Sequence, residues 1–237
     1  MSLPKSAVPK YRMTIPSSKK DVVFRPFLVK EEKALMIAQQ SENPDEMLET
    51  LKSVISECLI DNVNVDNLAL FDVEYIFAQL RAKSVGETVD LIFRCDKCTD
   101  KKASVQYTLD LTKLEVTFFE GHEKKIALFN DVGVIMRYPS FNALKRMETM
   151  KADDVNGMFD IVCMCIESVY DSQQVYSTAD QTPEEVREFV DNLTQDQFKK
   201  IQNFFDTMPI LQQKVEYACP VCGLMHKKYI RGLDSFF

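Results

Sequence analysis

Two cysteine pairs of the form C-x-x-C stand far apart in this chain, Cys95-Asp96-Lys97-Cys98 and Cys219-Pro220-Val221-Cys222-Gly223. Two residues between cysteines let the backbone fold into a knuckle that aims both sulfurs at one point, where amides of the turn can donate to thiolates. Two facing knuckles give a tetrahedral S4 set, the closed geometry of a structural zinc site, with Zn–S at about 2.3 Å. Gly223 suits a tight turn that needs positive φ. The 120 residues between Cys98 and Cys219 exceed what a compact ribbon holds. The spacing therefore predicts a ribbon split by a long insertion, approximately residues 110–212. Zinc ligation contributes ~10–16 kcal/mol in small zinc-finger peptides, comparable with the net stability of a domain. One structural zinc per chain, held by Cys95, Cys98, Cys219 and Cys222, would hold the base of that insertion.

Other readings of these residues are weaker. A redox C-x-x-C pair leaves the second pair unexplained and belongs with a βαβ pattern that is missing here. A catalytic zinc needs an open coordination position, which four thiolates close. His226, four residues after Cys222, can replace a cysteine as ligand; the competing reading is a surface strand residue beside Lys227 and Lys228. His122, in Glu120-Gly121-His122-Glu123, reads as a solvated loop residue. Cys58, Cys163 and Cys165 read as small core hydrophobes, of which 163 and 165 cannot share a helical face.

The periodicity around the cysteines predicts an α+β fold. Alternating runs at Tyr11–Ile15 and Val22–Phe27 read as a hairpin, followed by a helix from Val29. Asn43, Pro44, Asp45 and Glu46 punctuate the start of another helix, whose Met47, Leu48, Leu51, Val54, Ile55, Cys58 and Leu59 form one stripe. A third helix is expected from Asp72. Val89, Leu91 and Phe93 alternate into Cys95, and Val105, Tyr107 and Leu109 alternate away from Cys98, so the first knuckle tips a hairpin. Strands are predicted at Lys125–Phe129, Val132–Tyr138, Lys214–Ala218 and Met225–Ile230. Residues 140–208 read as helical, with Asp154–Tyr170 apolar on most sides, Thr182 to Glu185 spaced as a capping box, and Thr194 capping a last helix. Three regions result: an N-terminal hairpin and helical region (1–86), a split zinc ribbon (87–110 plus 212–237), and inserted strands with an acidic helical lobe (111–211).

Hydrophobic residues make up 46% of the 237, enough for a core. The odd count of seven cysteines fits a reducing compartment better than a disulfide scaffold. The opening MSLPKSAVPKYR has no signal-like apolar run, and the longest apolar stretch, near Ile161 to Ile166, falls far short of the ~18–20 residues that span a bilayer. A soluble, intracellular protein with no membrane partner is expected. Net charge is −7, but residues 1–35 carry +5, 148–196 carry −10 and 197–237 carry +3. Such polarity suits protein partners. Lys97, Lys101, Lys102, Lys227, Lys228 and Arg231 surround the knuckles, which keeps a zinc-ribbon adaptor for nucleic acid as the alternative, although the acidic balance argues against it. Phosphate loop, nucleophile elbow and H-E-x-x-H are all missing, and two histidines offer few parts for catalysis. An enzyme is not expected.

Leu3-Pro4-Lys5, then Phe24-Arg25-Pro26-Phe27-Leu28-Val29-Lys30-Glu31-Glu32-Lys33, resembles the T-even-type tailed-phage baseplate protein family. The likeness continues through the first C-x-x-C hairpin, the second pair with its Pro220 and Gly223, and the end, Gly232-Leu233-Asp234-Ser235-Phe236-Phe237. The resemblance implies a non-enzymatic structural or assembly role in the baseplate hub of a contractile tail, with other hub proteins as partners and self-association left open. It implies residence in the host cytoplasm during assembly and leaves virion residence open. It carries over Cys95, Cys98, Cys219 and Cys222 as the metal set. Arg25, Lys30, Lys33, Leu233, Phe236 and Phe237 become candidate partner contacts, with self-packing as the competing reading of the tail aromatics.

Overall fold

The computed structural model describes residues 7–41, 43–100, 102–141, 143, 145, 146, 150 and 154–232. In chain order its main elements are β1 (Tyr11–Thr14), β2 (Asp21–Phe24), α1 (Val29–Gln40), α2 (Pro44–Cys58) and α3 (Leu70–Ser84). Next come β3 (Thr88–Arg94), β4 (Ser104–Asp110), β5 (Glu115–Thr117), β6 (Lys125–Phe129) and β7 (Val132–Met136). The last are α4 (Val155–Cys165), β8 (Ile166–Tyr170), β9 (Val175–Ser177), α5 (Pro183–Asp191), α6 (Gln195–Asp206), β10 (Ile210–Ala218) and β11 (Met225–Arg231). The mixture is α+β, with helices set among several small antiparallel sheets. The chain divides into two compact units, one of residues 1–65, 71–117 and 210–237, the other of 66–70 and 118–209.

The first unit starts with the β1–β2 hairpin, in which Tyr11 faces Phe24 and Thr14 faces Asp21. Phe24 and Phe27 are buried, so this part of the opening motif serves the core. Helix α1 starts without a hydroxyl or carboxyl at its cap position, Leu28; instead the Glu31 carboxylate accepts from the Leu28 N–H at 2.7 Å. The same carboxylate, only 4% exposed, pairs with Arg25 at 2.8 Å. Burial alone would push the Glu31 carboxyl up; Arg25, the Leu28 amide and Lys30 outweigh it and hold it down at about 2. Helix α2 starts as its punctuation requires, with the Asp45 N–H donating to Asn43 Oδ1 at 3.1 Å. Its stripe of Leu48, Leu51, Val54, Ile55 and Cys58 is buried.

Strands β3 and β4 pair from Thr88–Asp110 to Arg94–Ser104. A three-stranded sheet of order β11-β10-β5 completes the unit. Strand β10 runs four residues further upstream than the sequence pattern indicates, because Ile210, Leu211 and Gln212 pair with β5. That pairing sets Thr117 opposite Ile210, so the chain closes the long segment 118–209 at its neck by backbone hydrogen bonds. Leu109, Leu111, Leu114, Leu211, Val215, Tyr217 and Ile230 bury against Ala78 and Ala82 of α3.

In the second unit a four-stranded sheet of order β6-β7-β8-β9 packs its apolar side chains with those of α4, α5 and α6. The helix expected to continue to Tyr170 ends at Cys165, and the chain passes directly into β8. An all-round apolar run does not distinguish a buried helix from a buried strand by period. The pairing of Gly133 with Tyr170 and Val134 with Val169 decides for the strand. Position 133 has to be glycine, because the Tyr170 ring occupies the place of its side chain. Helix α5 has its capping box, with Glu185 N–H donating to Thr182 Oγ1 and Thr182 N–H donating to Glu185, and Thr194 caps α6 in the same way.

Candidate metal centre

Each knuckle follows directly from a strand. Cys95 follows β3 directly, and its N–H donates to the Ala103 carbonyl at 3.0 Å, while the Ala103 N–H returns to Asp100 O. In the second knuckle the Cys219 N–H donates to Leu224 O and the Gly223 N–H to Cys219 O, both at 2.9 Å. Gly223 has φ 71°, the left-handed conformation its place in the turn requires. The two turns bring four sulfurs within 4.8 Å of one another. Cys95 Sγ lies 3.9 Å from Cys222 Sγ, and Cys98 Sγ lies 3.9 Å from Cys219 Sγ. These separations are far from a disulfide bond. A tetrahedron with metal–sulfur bonds of about 2.3 Å has edges of about 3.8 Å, so the donor set fits one ion of zinc's size and preference.

Cys95 and Cys219 are buried, 5% and 2% exposed, whereas Cys98 is half-buried and Cys222 exposed. The backbone N–H groups of Cys222 and Val221 hold the Cys219 thiol down to about 7. Cys98 is pushed up to about 12, first by its hydrogen bond with Cys222 and then by burial. Four thiols this close cannot all ionise without a cation among them. A divalent ion removes that conflict, since thiolates are its ligands.

The sequence pattern missed the surroundings of the cysteines. His226 is not simply a surface residue of β11: it is half-buried, with Nε2 3.2 Å from Cys95 Sγ. Its ring stacks on Tyr217 with centroids 5.0 Å apart, and Tyr217 stacks on Phe93 at 5.1 Å. The Tyr217 hydroxyl donates to the Arg94 carbonyl at 3.2 Å. The β10–β11 register sets His226 opposite Tyr217 and so brings the ring to the cysteines. Of the surrounding cations, Lys228 reaches Asp96 at 3.5 Å and Lys227 reaches Glu216 at 3.8 Å. The Arg231 guanidinium lies over the Tyr229 ring. Lys97 and Lys102 are exposed, and Lys101 lies outside the described residues.

Among the expected partner contacts, Arg25 pairs with Glu31, and Lys30 bridges Glu57 at 2.6 Å and Glu31 at 3.1 Å. Lys33 is exposed. Leu233, Phe236 and Phe237, like Leu3, Pro4 and Lys5, lie outside the described residues. His122 is corrected from a solvated loop residue to a half-buried one. Its ring stacks on Tyr138 and packs against Phe204. Thr207 uses its hydroxyl hydrogen on Asn203 O at 2.7 Å, so it accepts from His122 Nδ1 at 3.0 Å. His122 Nε2 then accepts from the Tyr138 hydroxyl at 3.2 Å. Burial, and then Lys124, lower the pKa of this histidine. Cys58 and Cys165 are buried and Cys163 half-buried, each with its thiol pushed up by burial. No described helix is long and apolar enough to cross a membrane.

A family model described as "T4 bacteriophage base plate protein" matches residues 8–237. The chain is also similar to "Baseplate hub assembly protein gp26" of Enterobacteria phage T4. The two are 22% identical over 228 residues, which cover 96% of this chain and 97% of that protein. No solved structure matches the chain.

Proposed function

Because the chain belongs to the T4 bacteriophage base plate protein family, we propose that it is a non-enzymatic structural or assembly component of the baseplate hub of a contractile-tailed phage. The observation that carries this reading is a family match that runs through both cysteine knuckles and everything between them. The curated relative, with hub assembly in its name, aligns over nearly its whole length. Other hub proteins are then the partners. The protein acts in the host cytoplasm during assembly, with the tail baseplate as its place in the virion if it stays.

Within that role the four cysteines serve as a structural zinc site of one ion per chain, supported by the mutual closeness of their sulfurs. Zinc supplies a cross-link here, not a reaction, because four protein ligands close its coordination. In this reading the chain has three parts: an N-terminal hairpin and helical region (1–86), a split zinc ribbon (87–110 plus 212–237), and inserted strands with an acidic helical lobe (111–211). Arg25, Lys30 and Lys33 and the tail residues Leu233, Phe236 and Phe237 are the proposed contacts. The test is co-expression with the phage's other hub proteins, purification of any complex, and metal analysis of it. A co-purifying hub subunit and about one zinc per chain support the reading. A protein that passes through purification alone under conditions where the hub assembles overturns it.

A further inference from the structure

Four thiolates around a divalent ion carry excess negative charge, and the groups that donate to their sulfurs decide how firmly each ligand is held. Cys219 has such donors within its own knuckle, the N–H groups of Val221 and Cys222. For Cys95 the structure supplies a side chain from beyond the other knuckle. We infer that His226 is a positioning residue of the metal centre: its Nε2–H donates to Cys95 Sγ and fixes that sulfur as a ligand. The inference rests on the four-cysteine reading above and extends it to a fifth side chain.

Geometry separates this role from direct ligation. His226 Nε2 stands 3.2 Å from Cys95 Sγ, yet among the described residues the set of mutually close donor atoms consists of the four sulfurs. The nitrogen therefore approaches one member of the set from outside. A thiolate only accepts, so the nitrogen facing it carries the hydrogen.

The ring is held for this task independently of any metal. The β10–β11 register sets His226 opposite Tyr217, their rings stack within 15° of parallel, and Tyr217 stacks on Phe93 within 13°. Phe93 and Arg94 lead directly into Cys95, and the Tyr217 hydroxyl is tied to the Arg94 carbonyl. A column of three rings thus joins the strand entering the first knuckle to the strand leaving the second. His226, at the end of that column, couples the packing of the two hairpins to the position of one ligand.

The test uses the full-length reduced protein with zinc or cobalt(II) alone, comparing wild type with His226→Ala, His226→Phe and His226→Gln. Phenylalanine keeps a ring to stack on Tyr217 and removes the donor; glutamine offers an N–H near the Nε2 position without the ring. Zinc affinity is read by chelator competition, and the sulfur-to-cobalt charge-transfer band reads the electron density on the thiolates. His226→Ala and His226→Phe are expected to lose about 10–100-fold in affinity and to move the band to longer wavelength, with His226→Gln recovering much of both. Wild-type affinity and spectrum in His226→Phe would reduce the residue to a stacking role and overturn the inference. So would a cobalt spectrum showing nitrogen ligation in wild type that His226→Ala abolishes. A wild-type protein that takes up neither metal refutes the four-cysteine reading itself, an outcome separate from metal binding that is indifferent to position 226.

Discussion

In the unit built on residues 118–209, ten buried side chains from Leu128 to Phe204 form one apolar cluster, flanked by capped helices. Around the cysteine knuckles the corresponding cluster among the described residues consists of Cys95, Ala103 and Cys219, with Cys98 against it. The hairpin leading there exposes alternate residues, Ile92 among them at 72%. The first arrangement excludes water by packing, which scales with buried apolar area. The second has too few carbons at its tip for that, and brings together four groups that repel one another when ionised. The comparison teaches that cohesion supplied by core in one region has little to draw on at the hairpin tips, where the proposed zinc would supply it.

Metal removal tests that contrast with the largest effect. Chelation, or Cys219→Ser, is expected to cost the knuckle region up to the order of 10 kcal/mol. Amide hydrogen exchange should show protection lost in β3, β4, β10 and β11 and kept in α4 to α6; unchanged protection at the knuckles would break the comparison. From the other side, Ile201→Ala deletes a fully buried side chain of α6. It should destabilise the second unit by about 2–5 kcal/mol while metal content stays at the wild-type level. Zinc loss in this variant would show that the two sources of cohesion are not separate.

A smaller effect concerns acid. Glu31 ionises in the folded protein at about 2 rather than 4.5. Its contribution is present above about pH 4.5 and is lost as pH falls towards 2. Glu31→Gln should lower stability at neutral pH by about 2–3 kcal/mol and flatten the acid limb of the stability curve between those values. Chemical denaturation of both proteins across that range measures the difference. An equal acid limb in the variant would assign acid sensitivity to other groups.

Much of the architecture could be read along the chain. The caps at Asn43, Thr182 and Thr194 sit where short polar side chains precede apolar stripes, because capping is a matter of three or four adjacent residues. The alternation through Val89, Leu91 and Phe93 marks β3 for the same reason. What escaped was non-local. The turn of the chain at Cys165 from helix to strand depends on β7 offering Gly133 and Val134 as partners. Strand β5 is three residues long and exists through its pairing with β10. His122 became an aromatic-packed residue only when Tyr138, Phe204 and Thr207 arrived from elsewhere in sequence. The ion pairs of Arg25 and Lys30 with Glu31 and Glu57 were also beyond the reach of local pattern; both cations remain proposed partner contacts.

The amino-acid sequence by itself determined that two knuckles exist, which four sulfurs they present, and the baseplate family to which the chain belongs. The knuckles reside in short runs of residues whose spacing fixes their local geometry, and the family in a match that runs over residues 8–237. The tertiary structure decided that the four sulfurs meet, that His226 stands against one of them, and that Thr117 and Ile210 close the long intervening segment. Each is a contact between residues remote in sequence, and no local period encodes such a contact.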